Sequence, residues 1–264
     1  MIPAAGTDSL NTGLLVVDVG NTSISAAVFS EQRIVFRNHL PTPERVSPGF
    51  LTRLVPPGRF ACRIVAVCIS SVVPRLNVAL RGSLEQISGT RPLFVDHRCR
   101  TGLKWKIDRP AELGADRIAD MAGALSLAEP PLLVIDSGTA ITFDLVNGRR
   151  EYLGGSILPG EAIAVRSLAE NTAKLRPIVF AVPASPRGTN TGDQIRAGIH
   201  YGTIGALRHL VGLYRRILGR KTIVMATGGL MRHLKKENIG VDRFEADLIF
   251  FGMRAIHERN RGRR

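Results

Sequence analysis

An internal repeat is the feature of this sequence that most restricts its fold. Segment 14–22 (LLVVDVGNT) closely matches segment 132–140 (LLVIDSGTA). Each is a run of branched apolar residues that ends in Asp-x-Gly, which predicts a buried strand running into a tight turn. A second apolar strand follows each turn, at 23–29 and at 141–146. The chain is therefore predicted to contain two similar α/β halves.

A weaker repeat supports this duplication. Segment 64–71 (IVAVCISS) and segment 222–229 (TIVMATGG) are both apolar strands that end in small residues. Amphipathic spacing predicts four helices, at 110–127, 160–175, 191–218 and 246–258. The Pro130–Pro131 pair stops the first of them and marks the predicted domain boundary. The predicted divisions are a flexible N-terminal extension (1–13), a first domain (14–129), a second domain (130–258) and a basic tail (259–264).

Composition excludes several classes of protein. The 264 residues, 44% hydrophobic and 22% charged, are typical of globular domains. The three cysteines are odd in number and lack Cys-x-x-Cys spacing, which argues against a disulfide framework and a zinc site. The first 13 residues lack the pattern of a secretory signal, and no apolar run reaches the ~20 residues that a membrane span requires. We expect a cytoplasmic protein without a membrane partner.

The net charge of +14 would suit a polyanionic partner, either a nucleic acid or the phosphates of a nucleotide. Much of this charge is scattered, and its densest cluster is the 259–264 tail. Aromatic residues make up only 5% of the chain and do not interleave with the basic ones, so the stacking surface of a nucleic-acid binder is missing. The pattern argues against a nucleic-acid partner.

The two Asp-x-Gly turns carry groups that phosphoryl transfer needs. The sequence has neither a P-loop nor a Gly-x-Gly-x-x-Gly motif, so other residues must bind the phosphates. In the first turn, Gly20 lets backbone amides approach a phosphate, and Asp18 is suited to hold a hydrated Mg²⁺. Segment 136–140 offers the same groups from the second half. Either turn alone could be an ordinary hairpin turn; two in register favour a binding site.

The motifs together resemble those of type III pantothenate kinases. The DVGNT and DSGTA segments are similar to the phosphate loops of the acetate and sugar kinase, Hsp70 and actin superfamily, and 114–117 (GADR) resembles the Gly-x-Asp-Arg motif of the family. Further matches follow in the family's order: SSVVP at 70–74, GGSILPG at 154–160, TAKL at 172–175, NT at 190–191, GIHYG at 198–202 and TGG at 227–229. The resemblance covers nearly all of residues 14–260.

This resemblance implies an α/β fold of two duplicated ribonuclease H-like (actin-like ATPase) domains, with mixed sheets flanked by helices. The implied activity is the ATP-dependent phosphorylation of pantothenate to 4'-phosphopantothenate, the first step of coenzyme A biosynthesis. The implied cofactors are ATP, Mg²⁺ and a monovalent cation, K⁺ or NH₄⁺. The implied assembly is a homodimer.

The resemblance also implies roles for individual residues. Those implied to bind ATP are Asp18, Val19, Gly20, Asn21, Thr22, Ser23, Ile24, Ser25 and Thr139. Those implied to bind pantothenate are Gly114, Ala115, Asp116, Arg117 and Thr191. Asp116 is implied to be the general base, and Asp136 to help hold the monovalent cation.

Each role has a structural alternative. Asp116 and Arg117 could lie on an exposed helix face, where such charges contribute little. Thr191 could be a helix N-cap, and Gly228–Gly229 a plain turn. His200 and Tyr201 are predicted to be packing residues.

Two other functions remain open from the sequence. Ile107 stands where the family commonly has a tyrosine, which keeps open a kinase of another small alcohol. The family also includes Bvg accessory factors linked to transcription, so a non-catalytic regulator is the second alternative. The set Asp18, Asp116 and Asp136 favours the enzyme, because a pure binding protein has no chemical need for all three.

Overall fold

The computed structural model describes residues 12–171, 178–229, 231–234 and 237–262. The motif at 172–175 and the outermost residues of the predicted extension and tail, 1–11 and 263–264, lie outside these ranges. The chain divides into two compact units. The first comprises residues up to Arg100, Leu113–Ala119 and the chain from Met253, and the second comprises Thr101–Glu112 and Asp120–Gly252. The domain boundary at 129/130 stays a prediction.

A five-stranded mixed sheet forms the centre of the first unit. Its strands are β1 (Thr12–Val19), β2 (Ser23–Ser30), β3 (Arg33–Pro41), β4 (Arg63–Ser71) and β5 (Leu93–Phe94), in the spatial order β3-β2-β1-β4-β5. The first three strands form an antiparallel meander, whereas β4 pairs in parallel with β1. Helices α1 (Pro48–Leu54) and α2 (Pro74–Ser88) bury Leu54, Leu80 and Leu84 in the core of this unit.

The second unit repeats this arrangement in a six-stranded sheet. Its strands are β6 (Lys104–Trp105), β7 (Leu132–Ser137), β8 (Ala140–Val146), β9 (Glu151–Pro159), β10 (Ile223–Thr227) and β11 (Arg243–Phe244), in the order β11-β10-β7-β8-β9-β6. Strands β7, β8 and β9 form the antiparallel meander, and β10 pairs in parallel with β7. The predicted fold class, two duplicated α/β halves with mixed sheets, is therefore confirmed.

The remaining helices of the described chain are α3 (Ala115–Leu127), α4 (Glu161–Glu170), α5 (Thr191–Leu218), α6 (Met231–Leu234) and α7 (Leu248–Asn260). Helix α5 has the predicted bounds, and it buries Ile204, Leu207 and Val211 in the core of the second unit. None of the helices within the described ranges has the length and apolar character needed to cross a membrane.

The prediction of a helix at 110–127 is wrong about where the helix begins. The structure has a short 3₁₀ turn, Pro110–Glu112, and α3 begins only at Ala115. The backbone N–H of Ile118 donates to the Gly114 carbonyl at 3.2 Å, so Gly114 precedes the first helical turn. Glycine loses more backbone freedom than any other residue in a helix, which favours a break at this position.

A close helix contact in the second unit can be tested at Gly123. A Cβ atom at Gly123 of α3 would collide with the Leu248 carbonyl oxygen at the start of α7. We expect Gly123→Ala to lower the free energy of unfolding by ~1–3 kcal/mol, because the two backbones must separate. The matched control is Gly205→Ala in α5, where a Cβ meets open space. This control should raise stability by ~0.5–1 kcal/mol. Urea unfolding measures both changes, and equal effects would contradict the contact.

Candidate active site

The first Asp-x-Gly turn joins β1 to β2 and is held by Thr42. The Gly20 N–H donates to the Ser23 carbonyl at 3.0 Å, which closes the turn. The Thr42 hydroxyl donates to the Gly20 carbonyl at 2.6 Å, and the Thr42 N–H donates to the Thr22 carbonyl at 3.0 Å. Asn21 and Thr22 are exposed at the tip. The turn therefore presents polar groups to solvent on a fixed backbone.

The pairing of β1 with β4 fixes the Asp18 carboxylate. In the parallel register Asp18 lies opposite Ser70, and the Ser70 hydroxyl donates to Asp18 Oδ1 at 3.0 Å. Both residues lie near the carboxyl ends of their strands, where α/β sheets commonly bind ligands. Ser70 belongs to the SSVVP motif identified from the sequence, but no sequence pattern predicts its hydrogen bond to Asp18.

Asp116 lies in the first turn of α3, within the first unit. Its Oδ1 accepts a hydrogen bond from the Arg117 N–H at 2.8 Å. A Cβ atom at Gly114 would overlap this same oxygen. The glycine of the Gly-x-Asp-Arg segment thus leaves the space that the Asp116 carboxylate fills. Both Asp116 and Arg117 are half-buried, so they do not belong to an exposed helix face.

The second Asp-x-Gly turn joins β7 to β8 in the second unit. The Gly138 N–H donates to the Ala140 carbonyl at 2.9 Å, and Thr139 is exposed at the tip. The residue after β10, Gly228, has a positive φ of 96°, and a Cβ atom there would overlap Asp136 Oδ1. Gly228 is therefore more than a plain turn residue, because its missing side chain lets the backbone lie against Asp136.

Two buried hydroxyl groups near Asp136 have no hydrogen-bond partner among the described residues, Ser137 Oγ and Thr142 Oγ1. Thr142 lies directly opposite Asp136 in the β7–β8 register, so both side chains are on one face of the sheet. A carboxylate beside an unpaired hydroxyl is a suitable pair of oxygen ligands for a hard cation. The described residues contain no cluster of three or more His, Cys, Asp and Glu side chains that could hold a metal ion.

Thr191 is the first residue of α5, and it is not the N-cap. Asn190 takes that position: its Oδ1 accepts a hydrogen bond from the Asp193 N–H at 3.0 Å. The structural alternative for Thr191 is therefore wrong, because the neighbouring asparagine already caps the helix. The Thr191 side chain is exposed.

A buried acid–base pair was missed from the sequence. Glu161 Oε1 lies 2.7 Å from His200 Nδ1, and the two side chains are 0% and 4% exposed. Burial raises the pKa of the Glu161 carboxyl above its ordinary value, and the nearby His200 and His233 oppose that rise. His200 also packs on the Phe180 and Tyr201 rings, with centroids 6.4 Å and 5.2 Å away. Glu161 and His200 are 39 positions apart and lie on two different helices, so no local sequence pattern predicts their contact.

Comparison with solved structures identifies the fold. A glucokinase from an Antarctic psychrotroph has a TM-score of 0.52 at 13% identity, over 93% of this chain and 99% of the other. A conserved protein assigned to the Baf family of transcriptional activators, from Campylobacter jejuni, has a TM-score of 0.55 at 22% identity, over 93% and 98%. Identities this low show the fold alone. It is the actin-like ATPase fold, which small-molecule kinases share.

Sequence relatives identify the family. The profile of the type III pantothenate kinase family matches residues 14–212. The type III pantothenate kinase of Myxococcus xanthus is 35% identical over 94% of this chain and 98% of its own length. That of Geobacter sulfurreducens is 36% identical over 94% and 99%. The chain belongs to the type III pantothenate kinase family, as its motifs predicted, and it is a kinase that uses ATP.

The raised pKa of Glu161 gives a testable dependence of stability on pH. An unfolded glutamate titrates near ~4.3. Below that pH Glu161 is neutral in both states, and as pH rises toward the higher folded pKa its ionisation opposes folding. We therefore expect the melting temperature of Glu161→Gln, measured against wild type, to increase as the pH rises above ~4.3. Thermal unfolding followed by circular dichroism measures this difference.

The matched control is Glu170→Gln, at the exposed end of α4, the helix that begins at Glu161. Its melting temperature should follow that of wild type across the same pH range. A Glu161→Gln difference that is flat, or that shrinks as pH rises, would show that the pairing with His200 outweighs burial.

Proposed function

We propose that this enzyme transfers the γ-phosphoryl group of ATP to the primary hydroxyl of pantothenate, which gives 4'-phosphopantothenate for coenzyme A synthesis. The observation that carries the proposal is the duplicated Asp turn. Asp18 and Asp136 occupy the same place in two repeated sheets, beside Ser70 and Thr227 of the parallel neighbouring strands. Relatives that are 32–36% identical over 94% of the chain bear the name of this kinase.

The first turn is proposed to bind the phosphates of ATP. The turn Gly20–Thr22 offers backbone and side-chain donors on a backbone that Thr42 fixes. Such preorganised donors stabilise the charge that develops in phosphoryl transfer. Asp18, oriented by Ser70, would hold Mg²⁺ through its carboxylate oxygens. Bound Mg²⁺ would neutralise part of the charge on the phosphates.

Asp116 is proposed as the general base and Arg117 as a partner of the pantothenate carboxylate. The Asp116 carboxylate would accept the proton of the attacking hydroxyl as the new O–P bond forms and the bond from the γ-phosphorus to the bridging oxygen breaks. ADP leaves with that bridging oxygen. The exposed Thr191 is proposed to contact pantothenate as well.

The second turn is proposed to bind both ATP and a monovalent cation. Thr139, exposed at its tip, would contact the nucleotide. Asp136 would hold K⁺ or NH₄⁺, and the unpaired hydroxyl of Thr142 supports this assignment because it adds a neutral oxygen on the same face. A monovalent cation needs fewer charged ligands than a divalent one.

The oligomeric state and the cellular location of the enzyme are also part of the proposal. We propose a homodimer, which is supported by large apolar side chains that stay exposed on the single chain, such as Ile157 at 59% and Leu168 at 47%. Obligate dimers cover apolar surface of this kind. We propose a cytoplasmic location, in keeping with the use of ATP.

The first test is ADP release from ATP and Mg²⁺, with and without pantothenate, in K⁺ buffer and in Na⁺ buffer. We expect release that depends on pantothenate and is faster in K⁺. The Asp136→Asn variant should lose the K⁺ response, because the carboxylate that holds the cation is gone. No release in either buffer would overturn the kinase assignment and favour the regulator, which a salt-dependent DNA-binding assay would then examine.

The same assay tests the substrate. Release that depends on another small alcohol, with none for pantothenate, would support the alternative kinase that Ile107 keeps open. Ile107 packs close to Gly154 of β9. A Cβ atom added at Gly154 would lie 3.6 Å from the Cγ2 atom of Ile107.

The role of Asp116 has its own prediction. Asp116→Asn should lower kcat by ~10²–10⁴-fold, the usual contribution of general base catalysis, while ATP binding is retained. Gly114→Ala should also lower kcat, because the new methyl group displaces the Asp116 carboxylate. The matched control is Gly82→Ala, an exposed site in α2 where a Cβ meets open space. Full turnover of Asp116→Asn would rule out the base.

A further inference from the structure

The buried pair formed by Glu161 and His200 has no part in the reaction proposed above. Neither side chain can reach a ligand in solvent, since they are 0% and 4% exposed. Glu161 Oε2 is also buried, and it has no hydrogen-bond partner in the described residues. Burying a carboxyl group with one oxygen unpaired costs stability. A pair that costs stability invites a functional explanation.

The position of Glu161 in the fold suggests a function for this pair. Gly160, the residue before it, is the N-cap of α4, and its N–H donates to the Thr139 carbonyl at 3.0 Å. A Cβ atom at Gly160 would lie only 2.5 Å from the carbonyl oxygens of Gly138 and Thr139. The first residue of α4 is therefore one peptide unit away from the turn that joins β7 to β8. A shift of Glu161 would therefore move Gly160, whose backbone lies against that turn.

His200 provides a fixed point for Glu161. It lies on α5, the 28-residue helix whose Ile204, Leu207 and Val211 pack into the core of the second unit. The Tyr214 hydroxyl ties the same helix to β9 by donating to Ser156 Oγ at 2.7 Å. The bond from Glu161 to His200 thus joins the start of α4 to a helix held by the core.

We propose that the hydrogen bond between Glu161 and His200 positions the Gly138–Thr139 turn to bind ATP. Both are positioning residues, since they act through Gly160 and touch no substrate. The inference rests on the proposed function, in which Thr139 contacts the nucleotide. It predicts a specific defect: loss of the bond weakens ATP binding, while pantothenate binding at Thr191, beside the Asn190 cap, is little changed.

The test compares Glu161→Ala with wild type in the full chain. We expect the Kd for ATP with Mg²⁺, measured by calorimetry, and the KM for ATP to rise about tenfold, since leaving a buried hydrogen-bonding group without its partner costs roughly that factor in an equilibrium constant. The KM for pantothenate should stay within about twofold. A merely structural loss would reduce the folded fraction, and would lower kcat with both KM values unchanged.

Two further variants sharpen this comparison. Glu161→Gln can still bond to His200 with either its amide oxygen or its amide nitrogen, so its Kd for ATP should stay near that of wild type. Tyr214→Phe is the matched control, because it removes a different side-chain hydrogen bond of α5, one that lies 14 residues further along the helix than His200. It should leave the Kd for ATP unchanged.

The outcomes are distinct. An unchanged Kd for ATP in Glu161→Ala, or an equal rise in Tyr214→Phe, would overturn the positioning role. Glu161→Asp carries the same test if the alanine variant does not fold, because its shorter side chain cannot span the distance to His200. If wild type binds ATP but releases no ADP with pantothenate, the proposed function fails, and the ATP Kd still decides the positioning role.

Discussion

The parallel pairing of the two central strands in each sheet is the constraint on which the candidate site depends. It sets Asp18 beside Ser70 in one unit and Asp136 beside Thr227 in the other, each near the ends of both strands. Hydrogen bonding across the strands fixes this register, and a slip of one residue would turn each carboxylate to the opposite face. The apolar residues that precede each aspartate resist such a slip, because they are buried. The core therefore specifies where the carboxylates lie.

Three glycines, which have no side chain, allow close backbone contacts at the candidate site. The backbone after β10 lies against Asp136 because Gly228 has no Cβ, and α4 begins against the second turn because Gly160 has none. Gly114 leaves space for Asp116 in the same way. At these positions glycine permits an approach that any other residue would prevent. Gly114, Gly160 and Gly228 are therefore each required for steric reasons, and the atoms that a side chain would meet there can be named.

Local patterns predicted most of the fold. The repeated apolar runs located β1, β2, β7 and β8, and the spacing of apolar residues gave α5 its bounds. The break at Gly114 was missed because apolar periodicity continues through it. The bond from Ser70 to Asp18 and the pair of Glu161 with His200 join residues 52 and 39 positions apart. Such contacts depend on how strands and helices pack, and no local pattern in one sequence encodes them.

The four carboxylates Asp18, Asp116, Asp136 and Glu161 divide into two kinds by their surroundings. Asp18, Asp116 and Asp136 are half-buried, at strand ends or a helix start. There, water can reach them and ligands can exchange. Glu161 is fully buried and bonded to a histidine that the core holds. A charge at a turn can be neutralised by a bound cation or an incoming substrate, whereas a buried one must be satisfied by the protein itself. Accessibility thus separates the carboxylates suited to chemistry from the one suited to holding the site in place.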